Sequence, residues 1–246
     1  MINIRPTLSL LLCLAAAPAL AQSVDCDRPH NQSLSEATFR VVERASQELG
    51  DDKASQAETR LEALLGRVRG YERAVVLQTL GYAYISQNKD AAALRVFREA
   101  LELDALPVQP QQQLLYNTAQ LLISGGDSAA GVALLERYLR EACEAPPAEA
   151  HMLLAVAYTE QRNYRPALTQ VDLALGKLRE PRESWLQLKM GLHYELREWP
   201  RVAEVLVRLI NLAPSKPDYW NQLSGVFFEL RRQQEALAVL ALLQLV

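Results

Sequence analysis

Six small or apolar residues, Ala57, Ala93, Gly131, Ala167, Val202 and Ala236, stand in closely similar helical phrases at gaps of 36, 38, 36, 35 and 34 residues. A unit of about 35 residues is a single supersecondary element, too small to bury its own hydrophobic face. Repetition at that period therefore requires neighbouring units to stack and share a continuous core. The chain is expected to be an elongated helical array, with most of residues 35–245 in helices.

The first 21 residues stand apart from this pattern. Arg5 precedes an apolar run from Leu8 to Ala17, and Ala19-Leu20-Ala21 puts small residues at the −3 and −1 positions of a cut before Gln22. That is the pattern of a secretory leader. The run is too short for a membrane anchor, and Leu12 before Cys13 is too large for lipid attachment. We read residues 1–21 as a signal peptide cleaved after Ala21, residues 22–34 as an extended tail and residues 35–246 as the array, and expect an exported, periplasmic product. The 225 residues left carry 25 basic and 29 acidic side chains, a net of −4. With no basic block, nucleic acid is excluded as a partner class. No later apolar run approaches the ~20 residues of a membrane span.

Export also places Cys26 and Cys143 where disulfides persist. Cys143 falls near the end of the third unit, at the end of the stack where the chain enters the first. Residues 26–34 can extend roughly 26 Å, the width of about two units. A bridge would enclose 116 residues and stabilise by about 4–5 kcal/mol in the chain-entropy model. The alternative is a buried Cys143 and a free Cys26 in the tail.

From Ala74 the phrase is clearest: Leu77, Leu80-Gly81, Tyr84, a turn at Asn88-Lys89-Asp90, then Ala93, Phe97 and Ala100. The large and small residues fall at helical spacing on two helices, with Gly81 allowing close approach. The frame recurs from Ala148 (Leu154-Ala155, Tyr158, Ala167, Val171, Ala174) and from Pro217 (Trp220, Leu223-Ser224, Phe227, Ala236, Leu240). It is looser from Gln112, where Gly131 and Tyr138 replace the usual alanines and Asp127 is a candidate helix cap after Gly125-Gly126. From Glu183, Trp185 comes one residue early, which an extra residue in that helix would reconcile. The weakest unit, about 38–71, is terminal.

These residues resemble the tetratricopeptide repeat, two antiparallel helices per motif. The resemblance implies an all-α, right-handed superhelical solenoid of about six helix-turn-helix motifs, near 38–71, 74–107, 112–145, 148–181, 183–216 and 217–246. It also implies a concave surface made by the first helix of each motif. Carried onto this sequence, its positions give Gln78, Tyr82, Tyr116, Gln120, Met152, Gln187, Tyr194, Asn221 and Phe228. These aromatic and amide groups suit stacking on an extended peptide and bonding its backbone. Gln78 and Tyr82 occupy sites where related proteins clamp a terminal carboxylate with lysine and asparagine; Asn117 alone fits, so carboxylate capture is not expected.

Chemistry-bearing constellations are missing. There is no nucleophile elbow, phosphate loop or zinc-binding helix, and no catalytic residue, metal site or cofactor is assigned. His151 and His193 fall at large packing sites, His30 is isolated, and Asp25 and Asp27 lack a calcium loop. The segment from Ala236 to Val246 is apolar on nearly every face, as expected of an end that meets a partner, meets a second copy, or frays.

The stretches Gln78-Thr79-Leu80-Gly81-Tyr82, Leu115-Tyr116-Asn117-Thr118-Ala119-Gln120-Leu121, Glu183-Ser184-Trp185-Leu186-Gln187-Leu188 and Tyr219-Trp220-Asn221-Gln222-Leu223-Ser224-Gly225 resemble periplasmic tetratricopeptide proteins associated with TonB energy-transduction systems. This resemblance implies a non-enzymatic accessory of TonB-dependent transport whose partner is a protein or peptide segment, TonB or a neighbouring envelope component. The competing reading is an adaptor in envelope assembly for outer-membrane or peptidoglycan-linked proteins; a hydrolase is a remote third.

Overall fold

A computed structural model describes Cys26 and residues 32–244. The expected signal peptide (1–21), the expected tail apart from Cys26 and residues 32–34, and the last two residues lie outside the described residues, and with them His30, Asp25 and Asp27.

Twelve helices and no strand occur among the described residues, as six consecutive hairpins. They are α1 (Glu36–Gly50) with α2 (Ala54–Leu65), α3 (Gly70–Ile85) with α4 (Asp90–Leu103), and α5 (Val108–Ser124) with α6 (Ser128–Glu141). Then follow α7 (Ala148–Glu160) with α8 (Tyr164–Gly176), α9 (Glu183–Glu195) with α10 (Trp199–Leu212), and α11 (Pro217–Glu229) with α12 (Gln233–Leu243).

The hairpin turn is the same device six times. Asp52, Asn88, Gly126, Arg162, Arg197 and Arg231 all have φ between 55° and 88°, each five residues before the small residue that marks the period. Around each, two backbone bonds close the first helix. In the second hairpin the amide of Asn88 donates to the carbonyl of Ile85 at 2.9 Å and that of Lys89 to Tyr84 at 2.9 Å. In the fifth, Arg197 donates to Tyr194 at 2.9 Å and Glu198 to His193 at 2.9 Å. This 6→1 and 5→2 pair is the Schellman motif, which uses two otherwise orphaned carbonyls and stops the helix at a left-handed residue. Local side-chain caps help at Ser35, which accepts from the Thr38 amide, and at Asp127, which accepts from the Ala130 amide at 3.2 Å.

Within each hairpin the marker residue is the contact point. Ala57, Ala93, Ala167 and Ala236 are fully buried and Val202 nearly so. Gly131, which reads as a loose match in sequence, is required: a Cβ there would come 2.4 Å from Cγ1 of Ile123 and 3.1 Å from the Ala119 carbonyl. The second helix is dropped against the first, and a larger first-helix residue, Ile123, fills the room. Trp185 needs no extra residue either. The helix α9 is α-helical throughout; Leu186 takes the fully buried place, and Trp185 packs beside it under the Arg182 guanidinium, 4.5 Å from the ring centre. Pro110 and Pro217 sit in the first turns of α5 and α11, where no intrahelical N–H bond is lost.

The hairpins share their cores in series. One apolar cluster runs from Ala45 to Leu115 across the first three hairpins, and three further clusters carry the packing on to Val239. The first helices of neighbouring hairpins also touch, α1 with α3 and α5 with α7, whereas second helices pack chiefly on the helices beside them in sequence. The first helices therefore line the inner side of the superhelix. A disulfide joins Cys26 to Cys143, with Cα atoms 5.6 Å apart. Glu72, near the start of α3, also receives the Ser35 amide at 2.6 Å.

Candidate functional site

Along the inner side, one face of each of the last three first helices is exposed to solvent. On α9 it comprises Ser184, Gln187, Tyr194 and Glu195; on α11, Asp218, Asn221, Phe228 and Glu229; on α7, Glu149, Val156 and Glu160. Tyr194 is 57% exposed and Phe228 49%, large apolar groups that an unpartnered surface would ordinarily bury.

The nine groove residues named from the sequence divide along the array. Gln120, Gln187, Tyr194, Asn221 and Phe228 are exposed; Gln78, Tyr82 and Tyr116 are half-buried; Met152 is buried in the fourth hairpin's core. The half-buried ones are occupied by other residues of the array, either within their own hairpin or across to the next. The Tyr82 ring stands edge-on to Phe97 at 5.5 Å between centroids, and its hydroxyl accepts from the Asn117 amide at 3.1 Å. Asn117, the one residue suited to a carboxylate clamp, thus bonds Tyr82 through Nδ2, while its Oδ1 accepts from Gln113 at 2.8 Å. Tyr116 packs on Tyr138 at 5.5 Å, and the Gln78 amide donates to the Pro110 carbonyl at 3.4 Å. Tyr194 leans edge-on against Trp199 of its own hairpin, 5.0 Å away, and keeps its outer face free.

Polar ties repeat with the hairpins. Arg182, just before α9, donates to Glu149 at 2.7 Å, and Lys216, just before α11, donates to Glu183 at 2.5 Å; both pairs are separated by 33 residues. Glu183 also accepts from the Tyr219 hydroxyl, to which Gln187 donates at 2.6 Å. The Lys216 ammonium, then the Tyr219 hydroxyl, hold the Glu183 carboxyl below its ordinary value. Burial, helped by Glu149, raises the Tyr116 hydroxyl, so it stays a neutral donor.

A cleft of about 580 Å³ opens between α8 and α10. The histidine that reads as a packing residue, His193, has a polar role there: its Nδ1 lies 2.7 Å from Glu198, which also meets Arg165 at 2.6 Å. Asp172 pairs with Lys189 and Arg201 with Glu204, so the cleft's charges are matched within the protein. His151 similarly meets Gln170 at 2.8 Å. Among the described residues, no group of three or more His, Cys, Asp or Glu has the arrangement of a metal site, and no helix is long and apolar enough to cross a membrane.

Sequence reasoning missed the exposed Val156 and the carboxylates Glu160, Glu195 and Glu229. The available signal was the shared position of the three glutamates at the ends of α7, α9 and α11.

An all-α superhelix of stacked helical hairpins, open along its first helices, is the tetratricopeptide-repeat fold. Residues 74–105 match the tetratricopeptide repeat family model. Among solved structures, the chain is similar to a tetratricopeptide repeat protein from Parabacteroides merdae, at a TM-score of 0.59 and 18% identity over 83% of this chain and 78% of that one. It is similar too to YrrB, described as a TPR protein with an unusual peptide-binding site (0.57, 16% identity, 73% and 88% covered), and to MamA (0.56, 14%, 68% and 88%). No curated protein matches the chain in sequence.

Proposed function

We propose that this protein is a non-enzymatic, exported binding scaffold that holds an extended segment of a partner protein against its first helices, as a periplasmic accessory of TonB-dependent transport. The observation that carries the binding role is the exposed stripe through Gln187, Tyr194, Asn221 and Phe228. Aromatic faces and side-chain amides presented in register, on rigid helices, can grip a peptide by stacking and by bonding its backbone. The fold's use as a protein-interaction scaffold supports the reading, as does the peptide-binding site named for YrrB. Export rests on the Arg5, Leu8–Ala17 and Ala19-Leu20-Ala21 pattern, and the link to TonB on the motif wording.

Site-specific photocrosslinking in living cells tests this. Crosslinkers at Gln187 and Asn221 should capture one partner, and crosslinkers at the exposed outer residues Leu173 and Val207 should not. Capture from the outer positions alone overturns the groove, a partner unrelated to the TonB complex overturns the transport role, and recovery of the protein only from cytoplasmic fractions overturns export.

A further inference from the structure

We propose that the C-terminal half of the groove, from α7 to α11, takes a positively charged extended segment with apolar residues between its cations. This deepens the groove reading and rests on it.

Three observations converge. First, Glu160, Glu195 and Glu229 are the last residues of three successive first helices, all exposed, where α3 is followed by Ser86 and α5 ends in Ser124. Second, each of the last two stands next to an exposed aromatic, Tyr194 or Phe228, and Glu160 lies one helical turn from the exposed Val156. Carboxylate and apolar contact therefore alternate from hairpin to hairpin. Third, the solvent-facing register of α7, α9 and α11 holds no lysine or arginine. Among the described residues the side chains of Glu195 and Glu229 make no hydrogen bond or ion pair, and the Glu160 side chain accepts only the Ser128 hydroxyl.

The nearest cations in the chain mark the limits of the row. Arg162, Arg197 and Arg231 follow each glutamate by two residues, but they lie beyond the helices in the left-handed turns. A cationic guest is held by the carboxylates on the inner side and repelled where the row gives way to those turns, which sets its lateral position.

The repeat also suits a particular backbone. Packed helices stand about 8–10 Å apart, and the hairpin layers here are joined by such packing, α8 on α9 and α10 on α11, so the advance per layer is of that order. A polyproline II segment advances by about 9 Å in three residues and brings every third side chain to the same face. Lysine or arginine at every third position would thus meet Glu160, Glu195 and Glu229 in turn, with the intervening apolar residues lying on Val156, Tyr194 and Phe228.

Fluorescence anisotropy with defined peptides decides the point. The probe is a short proline-rich peptide with lysine at every third position; the controls are the same peptide with glutamate in place of lysine and one with the lysines bunched at one end. The expected result is binding of the first at least roughly tenfold tighter than of the glutamate peptide, weakening with salt and falling roughly tenfold in the E160Q/E195Q/E229Q variant. Glutamine keeps the acceptor that Glu160 offers Ser128, and an unchanged circular dichroism melt shows that the variant folds. Equal binding of lysine and glutamate peptides, full binding by the triple variant, or no binding of the lysine peptide overturns the inference. Peptide binding that ignores charge yet disappears in Y194A/F228A overturns it while leaving the groove reading intact.

Discussion

Gly81 of α3 faces Phe97 of α4 so closely that a Cβ on the glycine would stand 2.0 Å from Cε1 of the ring. Phe97 is fully buried and cannot move aside without disturbing the first apolar cluster. Gly81→Ala is therefore expected to destabilise by about 1–3 kcal/mol or more through overpacking. Gly66→Ala, where a Cβ meets nothing within 4 Å, should be neutral or slightly stabilising. Denaturant unfolding of both variants checks the pair; equal midpoints would mean that the two helices are not in the contact described.

The left-handed turn position predicts stability gains. Arg162, Arg197 and Arg231 hold φ of 59°, 55° and 58°, a region that disfavours residues with a Cβ and that Asn and Gly tolerate best. Replacing each arginine by asparagine should stabilise by about 0.5–1 kcal/mol, while Asn88→Ala at φ 57° should cost about as much. Thermal melts of the four single variants read the signs directly.

Cys26 and Cys143 lie 117 residues apart in sequence. Cys143→Ser is expected to lower stability by up to about 4–5 kcal/mol, the loop-closure entropy of a cross-link of that length. A reductant should bring the wild type down to the variant's melting temperature and leave the variant unmoved. A variant that melts with the oxidised wild type would show that the cross-link adds nothing.

Acid should loosen the first hairpin. Glu48 is buried on α1, receives Arg60 of α2 at 2.7 Å and Arg44 at 3.3 Å, and its carboxyl is held below the ordinary value of 4.5, chiefly by the Arg60 hydrogen bond. A carboxyl whose pKa is lower folded than unfolded stabilises fully above the unfolded value, and loses that contribution as pH falls through the folded one. Glu48→Gln should thus be less stable than wild type near neutrality, by about 1–3 kcal/mol, with the gap closing as pH drops below 4.5. Unfolding curves at a series of pH values measure it; a gap that stays constant would assign the effect to shape alone.

The six-fold repetition was open to sequence reading because everything that makes a hairpin lies within one period. Leu80-Gly81, Ala93 and Phe97 meet across a single turn, and the Asn88-Lys89 breaker needs only local backbone bonds to close it. Where such matches looked poor, at Gly131 and Trp185, the cause was compensation by a neighbour, Ile123 or Leu186, that a position-by-position comparison does not weigh.

What passes between hairpins was decided only in three dimensions. The stacking of one hairpin on the next seats Tyr82 against Asn117, and Tyr116 packs on Tyr138 of its own hairpin, yet Tyr194 and Phe228 stay open, although all four hold groove positions in the linear pattern. The same stacking brings Lys216 to Glu183, while Glu160, Glu195 and Glu229 stay exposed at the ends of three successive first helices. Short-range packing and hydrogen bonding repeat with the residues themselves, whereas side chains some 35 positions apart meet only after many small interhelix angles have accumulated.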